Sequence, residues 1–425
     1  MVQSGSTIWS KMAAERPYVG RLVDPKVDDL FAQLPALLLT GPRATGKTTT
    51  ARRHSATVIR LDREAEAAAF RADPDAALRS QPEPVLLDEW QSVPAVLGAV
   101  KRAVDDDPRA GRFLLTGSVR ADLEADTWPG TGRLVRLKLF GITQRELVGR
   151  TTGPSFIDRL TQGEGDLFPP LAEAPDLRGY IDLALRSGFP EPLLRLSGPA
   201  RQAWLDGYLD QLLTKDVQDL ATRRDPSLLR RYFEALALNT AGIPQDRTLY
   251  AAAGIDHRTA AHYDGLLANL FVAEEVPAWM SNRLSRLMKT QKRYLVDPAL
   301  ATTALRLDAA AIMRDGDLLG RILDTFVMAQ IRPELAVSEQ RPRLYHLREK
   351  NGRREVDIIG EVAQGVVGIE IKATAAPRAS DIEHLIYLRD KLGDRFLGGA
   401  VLHTGPRAFV LAERIFAIPI CSLWA

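Results

Sequence analysis

The chain has 425 residues, 45% hydrophobic and 26% charged, which excludes a wholly disordered, collagenous or membrane-embedded polypeptide and, at ~150 residues per domain, predicts about three domains. Its 56 Lys and Arg residues against 54 Asp and Glu leave a net charge of +2, so a basic surface for nucleic acid has to come from local clustering. A single cysteine, Cys421, excludes an intramolecular disulfide and a cysteine-rich zinc site and points to a reducing compartment, with the cytoplasm expected. The first thirty residues hold Arg16, Arg21, Asp24 and Asp28 and no long apolar run, and later apolar runs such as Pro35 to Leu39 fall far short of the ~20 residues that span a bilayer. No membrane partner is expected. Lysine is scarce, 11 residues against 45 arginines, so each well-placed lysine carries information.

From Ala36 to about Arg150, short apolar runs alternate with segments of helical composition, the pattern of a buried parallel α/β sheet. The runs are Ala36 to Thr40, Val58 to Leu61, Val85 to Leu87, Phe113 to Thr116 and Leu134 to Leu139. The first leads into Gly41-Pro42-Arg43-Ala44-Thr45-Gly46-Lys47-Thr48, the Gly, four residues, Gly-Lys-Ser/Thr pattern of a Walker A phosphate loop. Its glycines let successive amides curl around a phosphate at the positive end of the following helix. Lys47 is expected on the β and γ phosphates of ATP, and Thr48 on magnesium. Forty residues on, Val85-Leu86-Leu87 ends in Asp88 and Glu89, which places Asp88 at the magnesium and Glu89 beside the attacking water as catalytic base. The third run ends in Thr116-Gly117-Ser118, small polar groups suited to sensing the γ-phosphate. The expected nucleotide-binding set is therefore Gly41, Pro42, Arg43, Ala44, Thr45, Gly46, Lys47, Thr48 and Thr49, with Asp88 and Thr116.

These residues resemble the bacterial and archaeal AAA-type ATPases that carry a C-terminal domain of unknown function (DUF4143). The similarity covers nearly the whole chain. It includes Tyr18 and Arg21, the phosphate loop, Leu87-Asp88-Glu89 with Gln91 and Pro94, Leu115-Thr116-Gly117-Ser118, Gly132-Arg133 and Gly188-Phe189-Pro190-Glu191. The resemblance implies Arg133 as arginine finger or γ-phosphate sensor, acting in cis or in trans; action in trans requires a dimer or larger homo-oligomer. Ala44-Thr45 and Trp90 depart from the usual family residues at positions that supply no phosphate chemistry.

The segment from Thr151 to Gly179 is rich in Gly and Pro and reads as a linker. Residues 180 to 310 are mostly helical, with helices over Pro226 to Asn239, Asp246 to Ala253 and, after Gly254, Asp256 to Leu270. The last has an apolar face of Tyr263, Leu266, Leu267 and Leu270, with His257 and Arg258 in its first turn. A helix-turn-helix followed by Phe271 to Val276 and Arg286 to Val296 as a wing fits this pattern, and the family resemblance also favours a winged helix. Lys289, Lys292 and Arg293 form a basic cluster suited to DNA phosphates. The same module also serves elsewhere as plain packing.

Beyond Gly320 a second α/β unit is expected. A helix over Gly320 to Arg332 precedes strands over Leu344 to Leu347, Val356 to Ile359, Val366 to Ile371 and Ala400 to His403, with a helix over Asp381 to Leu392. Alternation points Asp357, Glu370 and Lys372 to one side of adjacent strands. Two carboxylates there can hold magnesium and the lysine can orient a water against a phosphodiester, the core pattern of the PD-(D/E)xK nuclease fold. Asp324 is the candidate additional metal ligand. Arg341 to Arg354 holds six Lys or Arg residues against Glu349 alone, a basic approach suited to a polyanion.

The expected architecture is an AAA-type P-loop domain (1–150), a linker (151–179), a helical region with a winged helix (180–315) and a PD-(D/E)xK nuclease-like α/β domain (316–425). The expected function is ATP hydrolysis whose nucleotide state, with Mg2+, controls a DNA-facing winged helix and the nuclease-like domain, on DNA or RNA. The alternative is a nucleotide-dependent switch for protein partners with an inactive nuclease fold. Sequence leaves nuclease activity, substrate and protein partner open.

Overall fold

A computed structural model describes residues 18–118, 132–163, 168, 173–216, 225–280, 290–349 and 353–425. Five strands form the first sheet: β1 (Ala36–Thr40), β2 (Thr57–Arg60), β3 (Val85–Asp88), β4 (Phe113–Gly117) and β5 (Val135–Lys138). They run parallel in the order β2-β3-β4-β1-β5. The apolar runs of β1, β3 and β4 follow from burial on both faces, whereas the edge strands β2 and β5 are only partly buried. Ala36 and Leu38 pack with Phe70, Val96 and Val100 on one side, and Leu37 and Leu39 with Val27 and Phe31 on the other.

The middle unit packs the helices Leu177–Leu185, Gly198–Gln211, Pro226–Leu238, Asp246–Ala253, His257–Asn269 and Pro298–Ala304 around shared apolar residues. Gly254 takes φ 68 between two of them, the left-handed conformation that ends a helix cheaply only at glycine. Next comes an antiparallel hairpin of β6 (Ala273–Val276) and β7 (Lys292–Leu295), in which Glu274 faces Tyr294 and Val276 faces Lys292. Arg286, Met288 and Lys289 lie outside the described residues.

The expected linker contains a helix. Phe156–Thr161 is closed by a reciprocal cap between Ser155 and Asp158, and Phe156, Ile157 and Leu160 are buried. Flanking Gly and Pro hid it from a reading by composition.

The last unit is a six-stranded mixed sheet of β8 (Arg343–Glu349), β9 (Arg354–Glu361), β10 (Val366–Lys372), β11 (Phe396–His403), β12 (Phe409–Ala412) and β13 (Ile415–Pro419), ordered β12-β13-β11-β10-β9-β8. Strands β10, β11 and β13 are parallel; β9, β8 and β12 join antiparallel. The helix Glu383–Leu392 covers one face through Leu385 and Leu388, and Gly316–Glu334 covers the other through Ile322 and Phe326. No helix among the described residues is long and apolar enough to cross a membrane.

Backbone and buried charge join the units. Gly141 lies against Gly188 so closely that an added Cβ would stand 3.0 Å from the Gly188 Cα, and the Ile142 amide donates to the Gly188 carbonyl at 2.6 Å. The buried carboxylate of Glu334 accepts from Arg145 at 2.6 Å and from the Phe156 amide at 2.7 Å. Glu274 on the hairpin pairs with Lys138 on β5 and with Arg332, at 2.8 Å, on the helix Gly316–Glu334.

Candidate functional site

The loop between β1 and the helix Lys47–Arg52 has the backbone that a phosphate cradle requires. Gly41, Ala44 and Gly46 have φ of 144, 61 and 94. At Gly41 a Cβ would fall 2.1 Å from the Leu139 carbonyl oxygen, so the close approach of β5 leaves room for glycine alone. Lys47 is buried, and its ammonium donates to the carbonyls of Gly41 at 3.1 Å and Pro42 at 2.8 Å. Burial pulls its pKa down to about 8 despite the nearby Glu89 and Asp88 carboxylates.

The Thr48 hydroxyl donates to Asp88 Oδ1 at 2.7 Å, so two oxygen ligands of the kind magnesium takes meet at one point. Thr116 donates to the same Asp88 oxygen and accepts from the Glu89 amide at 3.2 Å. It is fully buried and acts by ordering Asp88 and Glu89 from beneath. Glu89 takes the left-handed φ of 54 at the strand tip, a strained conformation of the kind found at working sites. Its Oε2 accepts from the Gln91 amide and, at 3.2 Å, from the Ser118 hydroxyl. Arg43 is partly buried, while Ala44 and Thr49 are exposed. Arg21, buried to 3% exposure, donates to the Thr45 and Phe140 carbonyls at 2.9 and 2.7 Å and pairs with Glu146 at 3.1 Å. It braces the loop from behind.

Arg133 requires a correction. It stands two residues before β5, pairs with Asp105 at 2.8 Å, and sits at the amino-terminal end of a strand parallel to β1. The phosphate loop follows the carboxyl end of β1. At about 3.3 Å per residue the guanidinium cannot reach the same chain's nucleotide, which removes the role in cis.

In the last unit, β9 and β10 pair as far as Ile358 opposite Ile369. Beyond that point Asp357 Oδ2 accepts from the Ile371 amide at 3.0 Å. Lys372 donates to Glu370 Oε2 at 3.1 Å, with His384 of the helix Glu383–Leu392 3.6 Å from the other oxygen, whereas Asp357 meets Lys292, so the structure does not gather the three into one cluster. Asp324, from the helix Gly316–Glu334, arrives at the same place, but the three carboxylates do not share one site for a metal ion. Among the described residues no group of three His, Cys, Asp or Glu side chains is arranged to hold one. The position between Asp324 and Asp357 belongs to Lys292, whose ammonium donates to Asp324 Oδ2 at 2.6 Å and Asp357 Oδ1 at 3.1 Å. Lys292 is 2% exposed, so the expectation that it contacts DNA phosphates is also corrected.

The electrostatics are those of a compensated buried cluster. Burial opposes the Lys292 charge, yet Asp324 and Asp357 outweigh it and hold its pKa well above the ordinary lysine value. Burial would raise Asp357, but the Lys292 ammonium and the Ile371 amide keep it below the usual carboxylate range. Burial pushes Asp324 up to about 6 against the pull of Lys292, and the Tyr294 hydroxyl donates to its Oδ1 at 3.0 Å. Burial and Asp357 raise Glu370, whose Oε1 accepts no hydrogen bond; His384 Nδ1 stands 3.6 Å from it.

Residues 33–148 match the AAA domain family, 177–311 a domain of unknown function (DUF8612) and 319–423 the domain of unknown function DUF4143. The chain carries an AAA domain toward its amino-terminal side and DUF4143 toward its carboxyl-terminal side. Two uncharacterized proteins, from Mycobacterium bovis and Mycobacterium tuberculosis, are each 28% identical to it over 390 residues, 91% of this chain and 80% of theirs. A Walker-type ATPase of Pyrococcus abyssi aligns over 69% of this chain and 99% of its own at 15% identity and a TM-score of 0.42. Protein VC1899 from Vibrio cholerae aligns over 92% and 95% at 12% identity and a TM-score of 0.20.

In this AAA-domain chain, sequence reasoning missed Lys292 and Tyr294 as partners of the acidic residues, and the bridge of Glu274. The signal for Lys292 was its place two residues before Tyr294 and one before Arg293 on a four-residue strand. Tyr294 faces inward, so Lys292 does too.

Proposed function

We propose that this protein is an ATP-hydrolysing switch whose nucleotide state is passed to a DNA-facing winged helix and, through the hairpin, to a PD-(D/E)xK nuclease-like domain. The observation that carries the reading is the preassembled set of Lys47, Thr48, Asp88 and Glu89 at the carboxyl edge of the first sheet. Lys47, released from the Gly41 and Pro42 carbonyls, binds the β and γ phosphates. Magnesium held by Thr48 and Asp88 would supply charge neutralisation on those phosphates. Glu89, fixed by Gln91 and Ser118, orients the attacking water and takes its proton.

Lys138 pairs in register with Thr40, the residue immediately before the loop, and Glu274 ties Lys138 to Arg332. That pairing supports a mechanical link from nucleotide to hairpin and last domain. Arg258 is exposed at the start of the His257–Asn269 helix, and exposed Arg341, Arg343 and Arg348 flank or lie on the edge strand β8. Both patches suit phosphates of DNA or RNA. The test is magnesium-dependent ATP turnover, measured with and without duplex DNA and RNA, with cleavage of the same nucleic acids followed in parallel. Absence of turnover in the full-length protein would defeat the reading.

One observation favours a second reading. Lys292 between Asp324 and Asp357 suits a nuclease fold that cleaves nothing and presents its surface to a protein partner as a nucleotide-dependent switch. Cleavage in the assay above would exclude it.

A further inference from the structure

We propose that Trp90 and Gln91 are positioning residues for Glu89: the Trp90 indole N–H fixes the Gln91 carboxamide, and the carboxamide aims the carboxylate. The inference rests on the reading of Glu89 as the base that takes the proton of the attacking water, and it assigns what sets that base in place.

Three observations carry it. First, Glu89 leaves the end of β3 with φ 54 and opens the short turn Trp90–Ser92, so neither a strand nor a long helix fixes its direction. Side chains do so instead. The Gln91 amide and the Ser118 hydroxyl, at 3.2 Å, both donate to Oε2, and Oε1 is the oxygen that takes the proton. Second, the other end of the same carboxamide and the neighbouring indole carry complementary polar atoms buried without a hydrogen bond, the acceptor Gln91 Oε1 and the donor Trp90 Nε1. They crowd one point. A Cβ added to Gly117 would stand 2.6 Å from Trp90 Nε1 and 3.1 Å from Gln91 Oε1. Buried donors and acceptors left unpaired are costly and rare, and each of these two can satisfy the other. A link between them completes a chain from indole through carboxamide to carboxylate, in which each bond strengthens the next. Third, Trp90 is 4% exposed and belongs to the same apolar cluster as Leu87 and Leu115, so the chain starts from a ring held in the core of the first sheet. An aliphatic residue at that position would fill the core and supply no N–H. A carboxamide has a donor end and an acceptor end. With its oxygen anchored on the indole, only its NH2 faces Glu89; unanchored, it can turn its oxygen on the carboxylate and repel it.

The test measures kcat and, separately, equilibrium ATP binding for the full-length wild type, Trp90→Phe, Gln91→Met, their double variant and Glu89→Gln, with thermal unfolding recorded for each. Trp90→Phe keeps a ring and loses the N–H, and is expected to lower kcat about three- to tenfold, the worth of one hydrogen bond, at unchanged ATP affinity. Gln91→Met is expected to lower kcat about 10- to 100-fold through misplacement of the base, again at unchanged affinity. The double variant is expected to turn over no more slowly than Gln91→Met, because the indole acts only through the carboxamide. Effects that multiply in the double variant, or an equal loss of ATP affinity, assign Trp90 to packing and overturn the chain, as does wild-type turnover in either single variant. Should Gln91→Met not fold, Gln91→Asn, whose amide is one methylene short of Glu89, takes its place with the same expectations. Glu89→Gln keeps the two readings apart. If it loses turnover while Gln91→Met does not, the base stands and its positioning by Gln91 falls. Wild-type turnover in Glu89→Gln, or none in the wild type, defeats the base and this inference with it.

Discussion

Lys47 is the residue on which the chemistry turns, and its burial has a measurable sign. With its pKa drawn from the ordinary 10.5 to about 8, the neutral amine gains weight in the nucleotide-free protein above that pH, whereas the triphosphate binds the ammonium. ATP binding between about pH 8 and 10.5 should therefore take up a proton. Affinity should fall with rising pH, by up to about tenfold per unit, as calorimetry in buffers of different ionisation enthalpy would record. Lys47→Ala should abolish binding or turnover, since it removes the cation on the β and γ phosphates. Glu89→Gln should keep nucleotide and lose about 10²-fold or more in turnover, because an amide cannot accept the proton; turnover at the wild-type rate would remove Glu89 from its role. At this scale the sequence was legible where a motif fixes spacing, as from Gly41 to Thr48. It was illegible at Lys292, because a lysine beside an arginine reads as a basic patch until the strand's inward face is known.

The elements were legible in proportion to the regularity of their burial. Strands buried on both faces are largely apolar runs, so β1, β3 and β4 stand out, and Asp246–Ala253 is bounded by Asp246 and Gly254. Strand β12 escaped because Phe409–Ala412 is an edge strand with exposed Phe409 and Val410, which lacks a two-sided core signal; β13 is buried throughout and was missed although its apolar run was there to read. The helix Phe156–Thr161 escaped among loop residues. Its anchor offers a test. Glu334→Ala removes a buried carboxylate that satisfies both Arg145 and the Phe156 amide; it should cost about 3–5 kcal/mol, read as a lowered midpoint in denaturant unfolding. An unchanged midpoint would show that this carboxylate is not what holds the helix in place.

Across the whole molecule, nucleic acid is the partner that the exposed arginines predict, and salt dependence measures it. Arg258→Ala should lower the log-log salt slope of duplex binding by ~0.9 for each phosphate that the arginine neutralises, as fluorescence anisotropy over a salt series would report. An unchanged affinity and slope would assign the His257–Asn269 helix to packing. Lys292 is not expected to contribute to that slope, since its charge is paired with Asp324 and Asp357 inside the protein. The seam at Gly141 and Gly188 bears on how such a molecule moves. Backbone meets backbone there, pinned by the Ile142 amide on the Gly188 carbonyl, with no side chain between to yield. Sliding would tear that bond, whereas tilting about it preserves it, so the seam is a fulcrum. Lys138 lies three residues away along the chain. A small rotation there would be carried to the hairpin through the Lys138–Glu274 pair, as through the arm of a lever.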